Sequence, residues 1–199
     1  MSNTSRTDWI TKYYEIYRKW DLKEDRVKGI IEKYINRLIE ELISDEPWNL
    51  DRFFRDNRSN EEYLYDILEG QMIEEFVVEW FIARGHSAQR IGSDANGKIV
   101  RQGRAQITTN PDLLVDGQKV EVQVSRQGKR NKYHIKKGKG DKILKGLNKL
   151  MFIVEDKYFM VDSSTINKAP LITNRAWGGK ECYELEEVNY FNLGGNYGY

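Results

Sequence analysis

The sequence predicts an α+β fold (α/β in the broad sense): a small mixed β-sheet flanked by helices, preceded by a helical N-terminal region. Three observations predict it. Apolar residues recur at three- and four-residue spacing before Gly85, short strand and turn patterns follow it, and a helical segment separates the strand patterns at 119–125 and 150–154. A helix between two strands of one sheet implies a crossover, and so a mixed sheet.

Val27, Ile30, Ile31, Tyr34, Ile35, Leu38, Ile39, Leu42 and Ile43 predict an amphipathic helix from about Lys23 to Ser44, ended by Glu46-Pro47. Ser59-Asn60-Glu61-Glu62 offers a capping box for a second long helix that runs to Arg84 and stops at Gly85. Its apolar side centres on Ile73, Val77, Trp80 and Phe81; at 100° per residue Glu74 falls on the margin of that stripe, while Glu75 and Glu79 point to solvent. Ala88 to Ile91 is expected to form a strand, Asp94-Ala95-Asn96-Gly97 a turn, and Gly128 to Gly140 a solvated loop or ragged strand. Ile143, Leu144 and Leu147 should line one face of a short helix, with Lys142, Lys145 and Lys149 on the other. Two strands, Leu150 to Val154 and Tyr158 to Val161, are expected around a Glu155-Asp156 turn. The domain organisation expected is a helical region at 1–58, a core at 59–193 and a flexible tail at 194–199.

Net charge over the 199 residues is +1, but residues 89–150 hold 15 basic and 5 acidic side chains. Such a segment points to a polyanionic partner. Cys182 is the only cysteine, which excludes an intrachain disulfide and fits a reducing compartment. No run reaches membrane-spanning length and the polar start, Met1 to Trp9, has no signal-peptide pattern, so an intracellular, cytoplasmic protein without a membrane role is expected.

Asp116-Gly117 is a two-residue type I′ turn signal between two runs of strand formers, Pro111 to Val115 and Lys119 to Ser125. Counting outward, Val115 pairs with Gln118, Leu114 with Lys119, Leu113 with Val120, and Asp112 with Glu121. Two carboxylates about 5 Å apart repel by roughly 3 kcal/mol at an effective dielectric of about 20, which a divalent cation relieves. Hard oxygen ligands suit Mg²⁺. Alternation puts Lys119, Glu121 and Gln123 on a polar face, and Val120, Val122 and Val124 on a core face. With Glu74, the cluster becomes three acids from a helix and two strands.

In this order and spacing the chain resembles the PD-(D/E)XK nuclease superfamily, restriction- and homing-endonuclease-like proteins, over roughly residues 69–162. The matching positions are Glu74, with Glu75 as substitute, Pro111-Asp112, and Glu121-Val122-Gln123. Gln123 stands where the family usually has Lys, as it does in some active restriction-type members. The resemblance implies a restriction-endonuclease-like core and a Mg²⁺-dependent DNA endonuclease, with Mn²⁺ as a substitute ion. Asp112, Glu121 and the Val122 carbonyl would hold the metal, and Glu74, Asp112, Glu121, Gln123 and Lys119 would form the catalytic set. Because the Gln123 amide carries no charge, the cationic role would fall to Lys119, or to Lys132 or Lys136 swinging in from the next loop.

Ten basic residues against one acid lie between Arg126 and Lys149. Arg126, Lys129, Arg130, Lys132, His134, Lys136, Lys137 and Lys139 are expected to contact the phosphates of double-stranded DNA. Arg101 and Arg104, with Gln102 and Gln106, have side chains suited to base edges. The N-terminal helices are expected to serve DNA contact or homo-oligomer formation, as a dimer or larger. The alternatives are a catalytically silent nuclease-fold protein that binds nucleic acid, suggested by Gln123, and an intracellular scaffold built on the long helices.

Overall fold

A computed structural model describes residues 13–47, 59–92, 111–124, 132–154, 156–175, 178–186, 189 and 191–194. The chain divides into two compact units, Met1–Asp116 and Gly117–Tyr199. The turn expected at 94–97, Arg101, Gln102, Arg104, Gln106, Arg126, Lys129 and Arg130 lie outside the described residues, as do Glu155 and residues 195–199.

The first unit is built on two long helices, α1 (Glu24–Ile43) and α2 (Asn60–Ala83), with strands β1 (Ala88–Arg90) and β2 (Leu113–Val115). The predicted stripe of α1 is buried from Val27 to Leu38, but its last members stand out, Ile39 exposed and Ile43 74% exposed. Tyr17 stacks on Phe76 of α2, and Trp20 meets Tyr17 edge-on, so an aromatic cluster closes the other end of α1. Ser59 and Glu62 form the capping box in both directions, at 3.1 and 2.7 Å. Gly85, at φ +87°, lets His86 N–H turn back to the Phe81 carbonyl, and α2 ends there.

Two expectations about α2 are corrected. Glu75 and Glu79 do not face open solvent: Lys33 of α1 meets Glu75 at 2.8 Å and Arg26 of α1 pairs with Glu79. With Phe76, Val77 and Trp80 also buried, α2 is covered around most of its circumference, and charges that a wheel places opposite its core become the seam to α1.

β1 and β2 pair antiparallel with Arg90 opposite Leu113. Asp116 and Gly117 have φ of +46° and +77°, the left-handed pair that a type I′ turn requires. His86 Nδ1 lies 2.6 Å from the Asp116 carboxylate, which also accepts from Ser87 N–H at 2.9 Å.

The second unit contains β3 (Gln118–Val124), β4 (Tyr133–Lys136), α3 (Lys137–Leu144), β5 (Lys149–Val154), β6 (Lys157–Val161), α4 (Ser163–Lys168), β7 (Leu171–Asn174), β8 (Lys180–Leu185) and β9 (Phe191–Asn192). β3 runs parallel to β5 with Glu121 beside Leu150, while β5–β6 and β6–β9 are antiparallel. This is the predicted mixed sheet with its helical crossover. A second sheet, β4–β8–β7, is antiparallel. Both share one core in which Phe152 stacks on Phe159 and Tyr133 leans on both, with Ile143 of α3 and Ile166 of α4 packed alongside. The α+β class is therefore as predicted. No helix among the described residues is long and apolar enough to cross a membrane.

The crossover differs in detail from its expectation. Of the loop or ragged strand expected at 128–140, residues 133–136 form a paired strand, while 137–140 open α3 instead. Leu147 lies beyond the helix, which stops before Gly146 at φ +66°, and is 59% exposed; Lys145 caps the helix and Lys149 belongs to β5. On β3 the valine face is core only at Val120, since Val124 is 42% exposed.

Gly140 is buried, and a Cβ there would run into the Tyr183 ring of β8, whereas one at Gly138 meets nothing within 4 Å. Gly140→Ala should therefore lower stability by about 1–3 kcal/mol in denaturant titration. Gly138→Ala should be neutral or stabilising by up to about 1 kcal/mol.

Candidate functional site

Glu121 sits in the middle of β3 and is only 6% exposed. A carboxylate taken out of water needs a partner. Among the described residues its two partners come from the crossover. Lys139, in the first turn of α3, places Nζ 2.7 Å from Oε2, and Asn148, just before β5, donates its amide to Oε1 at 3.4 Å. The parallel register explains why: Val120 lies beside Lys149, so the chain that returns to start β5 passes Glu121. Gly140, packed on Tyr183, lets α3 lie against β8, and that fixes where Lys139 begins.

The lysine that meets Glu121 is therefore neither Lys119 nor Lys132 nor Lys136, but Lys139, which the sequence marked only as a phosphate contact. Lys119 is exposed and lines a groove of about 540 Å³ whose wall also includes Asn148. Lys132 does not swing in: it pairs with Glu184 at 2.9 Å and with Glu186. Lys136 is exposed, yet partial burial of its ammonium and the charges of Lys139 and Lys180 hold its pKa below the usual lysine range. Lys136 and Lys180 share a face, because Lys136 pairs with Cys182 two residues along β8. Lys137 is used within α3, 2.7 Å from Asp141.

Gln123 donates its amide to the His134 carbonyl at 3.1 Å, a bond from β3 to β4. Val122 is half-buried beside it. His134 Nε2 lies 3.0 Å from Glu184, its cross-strand neighbour.

The remaining expected residues belong to the first unit. Glu74 does reach the sheet: its carboxylate meets Arg90 of β1 at 2.9 Å, and Arg90 also donates to the buried Tyr34 hydroxyl at 2.8 Å. Asp112 is half-buried at the start of β2, and its carbonyl accepts from the N–H groups of Ile91 and Gly92 at 3.0 and 3.3 Å. Among the described residues no group of three or more His, Cys, Asp and Glu side chains is gathered as a metal site.

Sequence reasoning missed Lys139 as the Glu121 partner, and Asn148 altogether. A signal existed: an acid on a strand flanked by buried Val120 needs a cation, and a parallel crossover brings its own connecting segment past that strand. Comparison with protein-family models, with curated proteins and with solved structures gives no match. The functional reading therefore rests on this chain's own residues.

Hydrogen bonds from Lys132 first, and then His134, hold the Glu184 carboxyl below the usual range. A depressed carboxylate contributes stability that is complete above its unfolded pKa, about 4.3, and is lost as pH falls through the folded value. Melting temperature measured against pH should accordingly show a smaller acid-side loss in Glu184→Gln than in the unaltered chain.

Proposed function

We propose that this chain is a Mg²⁺-dependent DNA endonuclease, a phosphodiester hydrolase of site-specific restriction or homing type, with its hydrolytic centre at Glu121. The observation that carries this reading is the 2.7 Å pairing of the buried Glu121 with Lys139. A carboxylate and an ammonium fixed together in a site poor in water suit a reaction in which negative charge develops on phosphoryl oxygens. Lys139 takes up the cationic role that position 123, a glutamine, has no charge to fill.

The donor set fits a hard cation. The long 3.4 Å contact from Asn148 leaves Oε1 the less tightly held oxygen of Glu121, and an ion such as Mg²⁺ needs only one or two carboxylates besides water and phosphate. The Val122 carbonyl, next along β3, is a further oxygen for such an ion. Glu121 and the Val122 carbonyl would hold Mg²⁺ or Mn²⁺, which would supply Lewis-acid polarisation of the phosphate and a more acidic bound water. Lys139 neutralises charge at the attacked phosphate, and Gln123, tied to the His134 carbonyl, links β3 to β4 beside the site. Lys136 and Lys180 add positive charge for flanking phosphates of double-stranded DNA.

One observation favours a second reading, a nucleic-acid-binding protein without cleavage. The Gln123 amide nitrogen is already engaged by backbone, donating to the His134 carbonyl.

Incubation of a mixture of supercoiled plasmids of unrelated sequence with Mg²⁺ separates the two. The nuclease reading expects metal-dependent nicking that is abolished in Glu121→Gln, and reduced about 10²–10³-fold in Lys139→Ala, with partial recovery in Lys139→Arg. Salt-sensitive DNA binding with no cleavage in Mg²⁺ or Mn²⁺ would establish the silent reading instead.

A further inference from the structure

The groove of about 540 Å³ in the second unit has a composition that the hydrolytic reading does not use. Its rim carries two exposed ammonium groups, Lys119 near the start of β3 and Lys149 at the start of β5. Its acid, Asp162, is already engaged, accepting from Thr165 N–H and Thr165 O–H at 2.9 Å each as the cap of α4. Two cations against one occupied carboxylate favour an anion. Leu147 adds an apolar surface that is 59% exposed, unusual beside so many lysines, and the amides of Gln118 and Asn148 flank it. Asn148 joins the groove to the site, for the same side chain that lines the wall donates to Glu121.

A cationic rim, an apolar platform and two amides match the three parts of a nucleotide: phosphate, base face and base edge. We propose that this groove is a nucleotide subsite, taking one nucleotide of the strand whose phosphodiester lies at Glu121, with its phosphate on Lys119 and Lys149 and its base on Leu147. The proposal deepens the nucleic-acid reading above and rests on it. The volume is within the range of small-ligand sites, large enough for a single nucleotide and too small for a folded partner. On this arrangement Asn148 reports occupancy of the groove to Glu121, since a base edge that engages its amide competes with the carboxylate for it.

The test is a titration of 2′-deoxyadenosine 5′-monophosphate into the full chain, followed by the ¹⁵N–¹H signals of Gly117, Gly146 and the Asn148 side-chain amide. Inorganic phosphate and deoxyadenosine serve as controls. The subsite predicts shifts confined to these groups, and binding tighter than either control gives. Lys119→Glu combined with Lys149→Glu, both on the exposed rim, should weaken binding about a hundredfold, on the order of tenfold for each lost charge-assisted contact. Leu147→Ser should weaken nucleotide binding but not phosphate binding. Absence of shifts at the groove, or inorganic phosphate binding as tightly as the nucleotide, would overturn the subsite. Groove binding by a chain that never cleaves DNA would instead remove the nuclease reading alone, and cleavage that survives without groove binding would remove only the subsite.

Discussion

A single buried carboxylate organises the second unit. Glu121 lies between Val120 and Val122 on a strand that also forms the core, and Lys139 pairs with its buried carboxylate at 2.7 Å. Lys139 reaches it only because α3 begins directly after β4 and lies against β8, which Gly140 permits by having no side chain to meet Tyr183. Asn148 reaches it only because α3 ends at Gly146 and β5 returns parallel to β3. The crossover is therefore both the connection that makes the sheet mixed and the source of the groups around Glu121.

The first unit solves a comparable problem differently. Its helices meet through an aromatic cluster around Phe76 and through Lys33–Glu75 and Arg26–Glu79 pairs at the seam. Such pairs contribute little energy each where solvent reaches them. Their use is to fix how α1 lies on α2, whereas Arg90, bonded to both Glu74 and Tyr34, ties β1 to that helix pair. Glu74 thus acts through Arg90 within its own unit.

Local signals were legible in the sequence. The Ser59–Glu62 box, the Gly85 stop, the Asp116-Gly117 turn and the helical crossover each follow from a short-range rule, because each depends on backbone geometry within a few residues. Side-chain partners depend on what packs opposite, and there periodicity gave too little. A helical wheel points Glu75 and Glu79 to solvent because it carries no information about a second helix. Lys132 was placed near Glu121 for want of any signal that Glu184 would claim it across β4 and β8. Lys139 was hidden among ten basic residues of equal appearance. The spacing of Leu147 from Ile143 predicts one shared helix face, but Gly146 ends the helix before that spacing applies.

The proposed hydrolytic centre requires that Glu121 anchor a divalent cation. Titration of Mn²⁺ followed by electron paramagnetic resonance measures that site without requiring turnover or a known DNA sequence. The account predicts a bound ion in the unaltered chain, displaced by Mg²⁺ and lost in Glu121→Gln. Equal Mn²⁺ binding by the folded Glu121→Gln chain, or none by the unaltered one, would contradict it.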